Sequence, residues 1–236
     1  MNILNIIKNN LFIQNFFSNL VLLLHPYLDL TISKYLAIRK ALYITAHDKT
    51  LGSYLEFGVF TGSSFNFAIK SSRKLDKIFG NSNCDFYGFD SFDGFGDVKN
   101  FDKSPAFKDK TFSVNKEKVL KNIRNVSKNT KTSIIEGFFQ DTIKNKTPKN
   151  FNIKFARVIM IDCDLKEPTK IALEFVKPVL QIGTIILFDD YLYFKGNKEH
   201  GEYSAFEEFK NNNKEIEFRE AYEYGYGGKA FIVCKI

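Results

Sequence analysis

Apolar residues recur at helical spacing in the N-terminal part of the chain. The pattern predicts a first helix with one wide apolar face and a second helix over residues 32–46. The longest unbroken apolar run, residues 20–24, is far shorter than the about 20 residues that a membrane span needs. We therefore expect no transmembrane segment here. We expect instead that the first helix packs on the domain or on a second subunit. The apolar positions of the first helix are Ile3, Ile6, Ile7, Ile13, Phe16, Phe17, Leu20 and Leu24.

A different use of this first helix stays open, namely resting on a bilayer surface. An interfacial helix prefers several basic residues on its polar face, and only Lys8 lies there. A secretory signal peptide is disfavoured because Asn15, Ser18 and Asn19 interrupt the apolar stretch. We favour packing of the first helix on protein over its binding to a bilayer surface.

Further along the chain, strand-like segments alternate with helix-like segments. This alternation predicts an α/β fold with a Rossmann-like, doubly wound and mostly parallel sheet. The predicted strands are 53–59, 85–90, 132–136, 157–162 and 183–189, and the predicted helices are 63–77, 116–126, 140–145 and 169–180. Near the C-terminus, a helix over 204–211 precedes strands at 215–221 and up to 233, with a glycine-rich turn between them. Two strands joined by a turn predict an antiparallel hairpin at one edge of the sheet.

The length of 236 residues accommodates one sizeable core but not two ordinary α/β domains. We expect a helical extension over residues 1–50 and a catalytic domain over residues 51–236. Residues 94–116 mix Gly, Pro, Lys and Phe without a period. That segment predicts a long loop, either a lid over the site or a poorly ordered insertion.

Composition narrows the classes of function. The formal net charge is +7, but only five of the 34 basic residues are arginine, and they do not cluster. Because nucleic-acid readers depend on arginine's bidentate fork, we expect no nucleic-acid partner. Three scattered cysteines without a CxxC pair disfavour a disulfide framework and a zinc ribbon. A cytoplasmic location fits this cysteine usage.

A glycine-containing turn follows the first predicted strand. It contains Glu56, Gly58 and Gly62, and a helix opening with Ser63 follows it. Two glycines let a ligand approach the backbone, and the start of a helix favours a negative group. The G-x-x-x-G spacing differs from the G-x-G-x-x-G of a dinucleotide site and from a phosphate-binding P-loop. The acid Asp90 at the end of the second strand suits a ribose diol, although it could also anchor a loop. Together these features indicate a nucleoside-containing cofactor without a phosphate partner, such as S-adenosylmethionine.

Acidic pairs end the fourth and fifth predicted strands. Asp162 and Asp164 follow the fourth strand, and Asp189 and Asp190 follow the fifth. One such pair could simply cap a helix. Two pairs on adjacent strands would repel each other unless a cation lies between them. All-oxygen ligands favour Mg²⁺ or another hard divalent cation over zinc.

The combination of these motifs resembles a known enzyme family. The segments LEFGVFTGSS, FYGFDSFDGF, EGFFQDT, IDCDLKEPT and FDDY, followed by HGEYSAFEEF, are similar to the TylF/MycF/NovP group of metal-dependent class I S-adenosylmethionine O-methyltransferases. The likeness extends over residues 54–209. One departure is Lys166, where the family usually has an aromatic residue.

The resemblance implies a role for each matching position. It implies a cofactor site made of the glycine turn, the second-strand acid and the segment after the third strand. It also implies that Asp164, as general base, and Asp162 are catalytic residues. His200, just beyond the fifth predicted strand, is a rival base or a substrate contact, or else an exposed loop histidine. The implied metal ligands are Asp162, Asp189 and Asp190, and the implied cofactor residues are Glu56, Gly58, Thr61, Gly62, Ser63, Asp90, Ser91, Gly137, Phe138 and Asp162.

The function implied by the resemblance is methyl transfer to a hydroxyl of a sugar or of a glycosylated small molecule. A catechol-like diol is an alternative acceptor, since a metal holds adjacent hydroxyls in either compound. A nucleotide-binding oxidoreductase is disfavoured because G-x-G-x-x-G is missing from the sequence. A non-catalytic interaction protein of the same fold is also disfavoured, because it would have no reason to retain four mutually repelling acids. We expect a homo-oligomer on the basis of the apolar N-terminus.

Overall fold

The computed structural model describes residues 10–23, 25–81, 84–96 and 112–236. The first nine residues of the predicted N-terminal helix lie outside the described residues. Most of the predicted lid segment, 94–116, also lies outside them.

Seven helices and seven strands account for the regular structure of the described residues, apart from three short 3₁₀ turns. The helices are α1 Leu11–Leu22, α2 Pro26–His47, α3 Ser63–Phe79, α4 Lys116–Val126, α5 Phe139–Thr142, α6 Lys166–Val176 and α7 Gly201–Asn212. The strands are β1 Ser53–Phe57, β2 Phe86–Asp90, β3 Thr132–Glu136, β4 Ala156–Ile161, β5 Ile185–Phe188, β6 Glu217–Tyr224 and β7 Gly228–Lys235.

The strands form one sheet in the order β3-β2-β1-β4-β5-β7-β6. The first five strands run parallel, and β7 pairs antiparallel with both β5 and β6. The central strands β1, β4 and β5 are buried along their whole length, which explains their continuous apolar sequence. The predicted fold class is confirmed, including the antiparallel edge hairpin.

Helices cover both faces of this sheet. On one face, residues such as Ile38 of α2 and Phe65 of α3 join the core beneath β1 and β4. On the other face, Leu173 of α6 and Phe206 of α7 pack with Phe57 and its neighbours. The carboxyl ends of the parallel strands are therefore flanked by helices on both faces of the sheet.

Helix α2 is longer than the predicted 32–46 and is part of this core. It begins at Pro26, whose fixed φ suits the first helical position and whose lack of an N–H is harmless there. Its C-terminal half buries Ala37, Ile38 and Leu42 completely or nearly so. Its N-terminal half extends toward the carboxyl edge of the sheet. The division of the chain at residue 50 stays a prediction.

Helix α1 has a different environment, since none of its side chains is buried. Asn10 caps it by accepting hydrogen bonds from the amides of Phe12 and Ile13. Within the described residues, no single helix has the length and hydropathy for crossing a membrane. Helices α1 and α2 meet those criteria only when taken together, and they are bent by 90° where they join.

Predicted bounds of other elements also differ from the structure, most plainly in two helices. The helix predicted over 140–145 is a single short turn, α5, and the helix predicted over 169–180 begins earlier, at Lys166. The later helix ends at Val176 because Pro178 cannot donate to the hydrogen-bonding ladder, and residues Lys177–Val179 tighten into a 3₁₀ turn.

Candidate active site

A cavity of about 1190 Å³ opens at the carboxyl ends of the parallel strands. This is where doubly wound sheets bind their ligands. It extends from the turn after β1 to the acidic residues after β4 and β5. The sequence-predicted residues that line it are Gly58, Thr61, Ser63, Asp90, Ser91, Gly137, Phe138, Asp162, Asp164, Asp189 and Asp190. Three other sequence-predicted residues are not among the described residues that line the cavity, namely Glu56, Gly62 and His200.

The turn after β1 requires glycine at Gly58. Its φ is +93°, and an added Cβ would lie 1.8 Å from the carbonyl oxygen of Asp162. Any side chain here would force β1 and β4 apart at the point where both contribute to the site. Gly62, with φ +77°, then turns the chain into α3, so that Ser63 opens the helix at the cavity wall. The unpaired amides at the start of α3 therefore lie beside the cavity.

Glu56 lies beneath this turn and is fully buried. Its two carboxyl oxygens are held by the Tyr54 hydroxyl at 2.5 Å and by the Ser64 hydroxyl, which donates at 2.7 Å. Burial raises the pKa of Glu56 to about 8, although both hydrogen bonds oppose that rise. Glu56 thus ties the end of β1 to the start of α3, and a direct contact with a cofactor stays a prediction.

Asp90 at the end of β2 fastens two loops together. Its Oδ2 accepts hydrogen bonds from the amides of Val59 at 2.6 Å and Phe60 at 2.7 Å, and its Oδ1 accepts from Phe92 at 2.6 Å. Phe60 and Phe92 both have left-handed backbones, with φ of 48° and 58°. A carboxylate offers about four acceptor positions, so one remains available toward the cavity. Asp90 is therefore a loop anchor that still borders the cavity.

The segments after β2 and β3 meet beside Asp90. The amide of Gly137 donates to the Asp90 carbonyl at 2.9 Å, and Gly137 has a φ of +124°. Ser91 donates to the Gly94 carbonyl at 2.8 Å. Phe138 follows Gly137 and adds an aromatic ring to the lining. Phe138 therefore gives this corner of the cavity an aromatic surface.

Three carboxylates converge at the other end of the cavity. One oxygen each of Asp162, Asp189 and Asp190 lies within 4.8 Å of the others, which is close enough for one ion to bind all three. Asp189 and Asp190 are buried, and Asp162 is partly exposed. The Oδ1 of Asp189 is buried and has no hydrogen-bond partner among the described residues. A buried carboxylate oxygen without a partner is costly, and a cation would satisfy it.

Asp164 lies beside this group in a left-handed backbone conformation, with φ 58°. Burial raises its pKa to about 7, as do the neighbouring charges of Asp162 and Asp189, while a hydrogen bond with Asp190 opposes the rise. Burial and nearby carboxylates likewise raise the pKa of Asp189 to about 7. The pKa of Asp190 is raised well above its ordinary value by burial and by Asp164. These carboxyl groups therefore share protons near neutral pH.

Glu202 is a site residue that the sequence analysis did not single out. It is fully buried in α7, accepts from the Asp190 amide at 2.9 Å and also accepts from the Cys163 amide. One side chain thereby links the loop after β4 to the loop after β5. Its only sequence signal is its place in the HGEYSAFEEF segment, which does not reveal that α7 packs there.

Lys34 is the second residue that the sequence analysis missed. It comes from α2, and its Nζ lies 2.8 Å from Asp162 Oδ2 and 2.6 Å from Asp189 Oδ2. Burial alone would lower the pKa of this ammonium, but the charges of Asp162 and Asp189 outweigh burial and raise it well above its ordinary value. A positive charge therefore lies between two of the predicted metal ligands.

His200 occupies the position just before α7. Its ring stacks on Phe194, with the centroids 5.5 Å apart, and its Nδ1 is buried without a partner among the described residues. Phe194 lines the cavity whereas His200 does not. A role of His200 as general base stays a prediction. His200 contacts Phe194, which lines the cavity.

Solved structures similar to this chain include methyltransferases. The O-methyltransferase NovP aligns with a TM-score of 0.68 and 21% identity, over 86% of this chain and 81% of that chain. CalS11, the calicheamicin methyltransferase, aligns with a TM-score of 0.68 and 23% identity, over 97% and 88%. An O-methyltransferase from Bacillus cereus in complex with SAH aligns with a TM-score of 0.54 and 14% identity, over 84% and 80%. At these identities the likeness establishes the fold.

Sequence comparison with curated proteins finds no match. The sequence model of one family, the macrocin O-methyltransferases (TylF), matches residues 33–220. That stretch begins within α2, just before Lys34, and includes every strand of the parallel sheet as well as Glu202. With most of its length matched and a methyltransferase fold, this chain belongs to the TylF macrocin O-methyltransferase family and is an O-methyltransferase.

Proposed function

We propose that the protein transfers a methyl group from S-adenosylmethionine to a hydroxyl of a sugar or of a glycosylated small molecule, with the help of a divalent cation. The observation that carries this proposal is that one cavity joins the glycine turn to the acidic residues. A donor and an acceptor bound at its two ends would meet within this cavity, which favours reaction by positioning.

The donor would occupy the end formed by β1, β2 and β3. The α3 start at Ser63 favours the methionine carboxylate, the remaining acceptor position of Asp90 suits a ribose hydroxyl, and Phe138 offers a face for the adenine. The donor supplies an electrophilic methyl group attached to a sulfonium. Structural relatives include a methyltransferase described in complex with SAH.

The cation would be held by Asp162, Asp189 and Asp190. Three carboxylates within reach of one ion, one of them with an unpartnered buried oxygen, form a donor set that suits Mg²⁺ or Mn²⁺. Such a cation, when bound, lowers the pKa of an acceptor hydroxyl. Glu202 would keep the two ligand-bearing loops at a fixed separation through the amides of Cys163 and Asp190.

Asp164 is the proposed general base. As the acceptor oxygen takes the methyl group, it loses a proton, and the carbon–sulfur bond breaks with its electron pair staying on sulfur. A general base must lie within reach of the reacting hydroxyl, and the Asp164 carboxyl shares a hydrogen bond with Asp190, one of the proposed metal ligands. Asp164 also lines the cavity, as a direct proton acceptor must.

The acceptor end favours a sugar because it offers aromatic surfaces beside polar groups. Sugar rings stack their C–H faces on aromatic side chains, while their hydroxyls need hydrogen bonds or a cation. CalS11 has been described as a TDP-rhamnose 3'-O-methyltransferase. The aromatic residues lining this end are Tyr27, Tyr35, Phe95, Tyr193 and Phe194.

Calorimetric titration with S-adenosylhomocysteine, in Mg²⁺ and then in EDTA, tests the donor site. We expect binding in both conditions, because the donor end is separate from the acidic cluster. Phe138→Ala should weaken that binding, whereas Tyr226→Phe, at an exposed tyrosine outside the cavity lining, should not. Failure of the wild-type protein to bind would contradict the donor assignment.

Methyl transfer to a panel of acceptors tests the second substrate. Nucleotide sugars and glycosides should be methylated with Mg²⁺ and not with EDTA, and Asp164→Asn should abolish turnover while donor binding persists. Methylation of a catechol alone would overturn the sugar assignment and leave the chemistry intact. The cytoplasmic location and the homo-oligomeric state stay predictions.

A further inference from the structure

Helix α2 places the ammonium group of Lys34 in the acidic cluster formed by Asp162, Asp189 and Asp190. The Lys34 Nζ is within hydrogen-bonding distance of Asp162 Oδ2 and Asp189 Oδ2 at the same time. Burial and the charge of Asp164 raise the pKa values of Asp190 and Glu202, so further carboxyl groups crowd beside the pair that Lys34 contacts. A lysine in this position acts as an internal counter-ion.

The same two carboxylates belong to the set proposed to hold a divalent cation. Mg²⁺ lies about 2.0–2.1 Å from its oxygen ligands. Since Nζ lies 2.6 Å from Asp189 Oδ2, a cation on either oxygen of the Asp189 carboxylate would lie less than about 7 Å from the ammonium. Two positive centres at that separation, in a site largely shielded from water, repel strongly. Both cannot be held by these oxygens without a large loss of affinity.

The Lys34 side chain has space to move away from the acidic cluster. Its side chain lines the cavity and retains 18% of its accessible surface, and its four-carbon stem is flexible. By contrast, the core contacts of α2 lie further along the helix, at Ala37, Ile38 and Leu42. The ammonium can therefore move into the cavity while the helix stays packed.

We propose that Lys34 competes with the divalent cation, holding the acidic cluster together in the metal-free protein and leaving it when a metal ion binds. The inference rests on the metal site of the proposed function. Lys34 thereby lowers the affinity of that site and couples metal loading to the appearance of a free ammonium in the cavity.

Mn²⁺ titration by calorimetry tests this competition. Lys34→Met should bind Mn²⁺ more tightly than the wild-type protein, roughly 5- to 150-fold in the usual range of coupling between two sites. Lys34→Arg keeps the charge and should retain weak binding. Lys40→Met removes the same charge from an exposed position on the same helix and should match the wild type. Asp189→Asn should abolish binding and so locate the titrated site.

Thermal melting adds a second readout that needs no enzymatic activity. In EDTA, Lys34→Met should melt below the wild type, because the carboxylates lose their counter-ion. In saturating Mn²⁺ that deficit should disappear or reverse. A lysine with only a structural role would lower the melting temperature equally in both conditions, and that result would overturn the proposal.

Labelling of the wild-type protein keeps the test independent of whether Lys34→Met folds. Acetylation by an N-hydroxysuccinimide ester, followed by peptide mass spectrometry, should modify Lys34 faster in Mn²⁺ than in EDTA, with Lys40 unchanged. Equal labelling of Lys34 in Mn²⁺ and in EDTA would overturn the proposed competition. Equal Mn²⁺ affinity of the wild type and Lys34→Met would also overturn it, and in both cases the proposed metal site would be unaffected. No Mn²⁺ binding by either protein overturns the metal site and the competition together, whereas binding of S-adenosylhomocysteine would still support the donor site.

Discussion

Two ion-pair centres contact helix α2, a fully buried one near its C-terminal end and a largely buried one in its N-terminal half, and they differ in their balance of charge. Near its C-terminal end, Arg157 donates to Asp76 Oδ1 at 2.8 Å, to the Thr45 hydroxyl at 2.9 Å and to the Leu42 carbonyl at 3.1 Å. Ser72 satisfies the other oxygen of Asp76 at 2.6 Å. One positive charge faces one negative charge, and every nitrogen of the guanidinium has a partner.

The centre at the N-terminal end is unbalanced. Lys34 pairs with Asp162 and Asp189, further carboxyl groups crowd beside them, and Asp189 Oδ1 has no partner among the described residues. Burial raises the pKa values of Asp164 and Asp189 to about 7 and the pKa of Asp190 well above its ordinary value. A centre whose charges are balanced serves the fold, whereas one with excess charge of one sign is poised to take a ligand of the other sign.

The same chemical change should have opposite effects in the two centres. Asp76→Asn leaves Arg157 buried without its counter-charge, and we expect a loss of about 3–5 kcal/mol in the free energy of unfolding. Urea denaturation in EDTA measures it. Asp189→Asn relieves repulsion instead, so its metal-free stability should equal or exceed that of the wild type. A similar loss for both variants would refute the distinction between the centres.

Asp189→Asn should have its large effect on catalysis and not on stability. Asp189→Asn removes a proposed metal ligand and should lower kcat/KM by roughly 100-fold or more, since a catalytic cation contributes several kcal/mol. Affinity for S-adenosylhomocysteine should stay within about twofold, because the donor end is formed by other strands. An active Asp189→Asn enzyme would remove the metal from the mechanism.

Glu56 offers an effect that is smaller at each pH step and has a definite sign. Burial raises its pKa from 4.5 to about 8, so the folded protein keeps a proton that the unfolded chain has already lost in that range. The free energy of unfolding must therefore fall as the pH rises from about 4.5 to 8, by up to about 1.4 kcal/mol per pH unit. Glu56→Gln should flatten the pH dependence of stability, as urea titrations at pH 5, 6, 7 and 8 would reveal. Parallel curves for the two proteins would contradict the buried protonated state.

An exposed ion pair gives the smallest expected effect. Lys116 and Glu136 lie 2.8 Å apart with much of both side chains in solvent. Lys116→Met should change the free energy of unfolding by less than about 1 kcal/mol, because water and salt screen such pairs. A loss as large as that of Asp76→Asn would show that charge balance, and not burial, dominates both effects.

The donor side of the cavity was largely predictable because its residues follow consecutive parallel strands. The carboxyl ends of such strands meet at one edge, so Gly58, Asp90 and Gly137 had to come together once the strands were identified. Asp90 was predicted to meet a ribose, and the structure adds three backbone amides that it anchors. Those bonds depend on two left-handed phenylalanine residues, which no local sequence rule indicates.

The sequence by itself determined the α/β class, the strand order along the chain, the acids after β4 and β5, and the family, because periodicity and strand-end chemistry are local properties. Only the tertiary structure decided that Lys34 contacts Asp162, a residue 128 positions away. It also decided that Glu202 links two loops from beneath and that Phe194 lies against His200. These contacts depend on where α2 and α7 pack against the sheet, and many side chains share in setting that geometry.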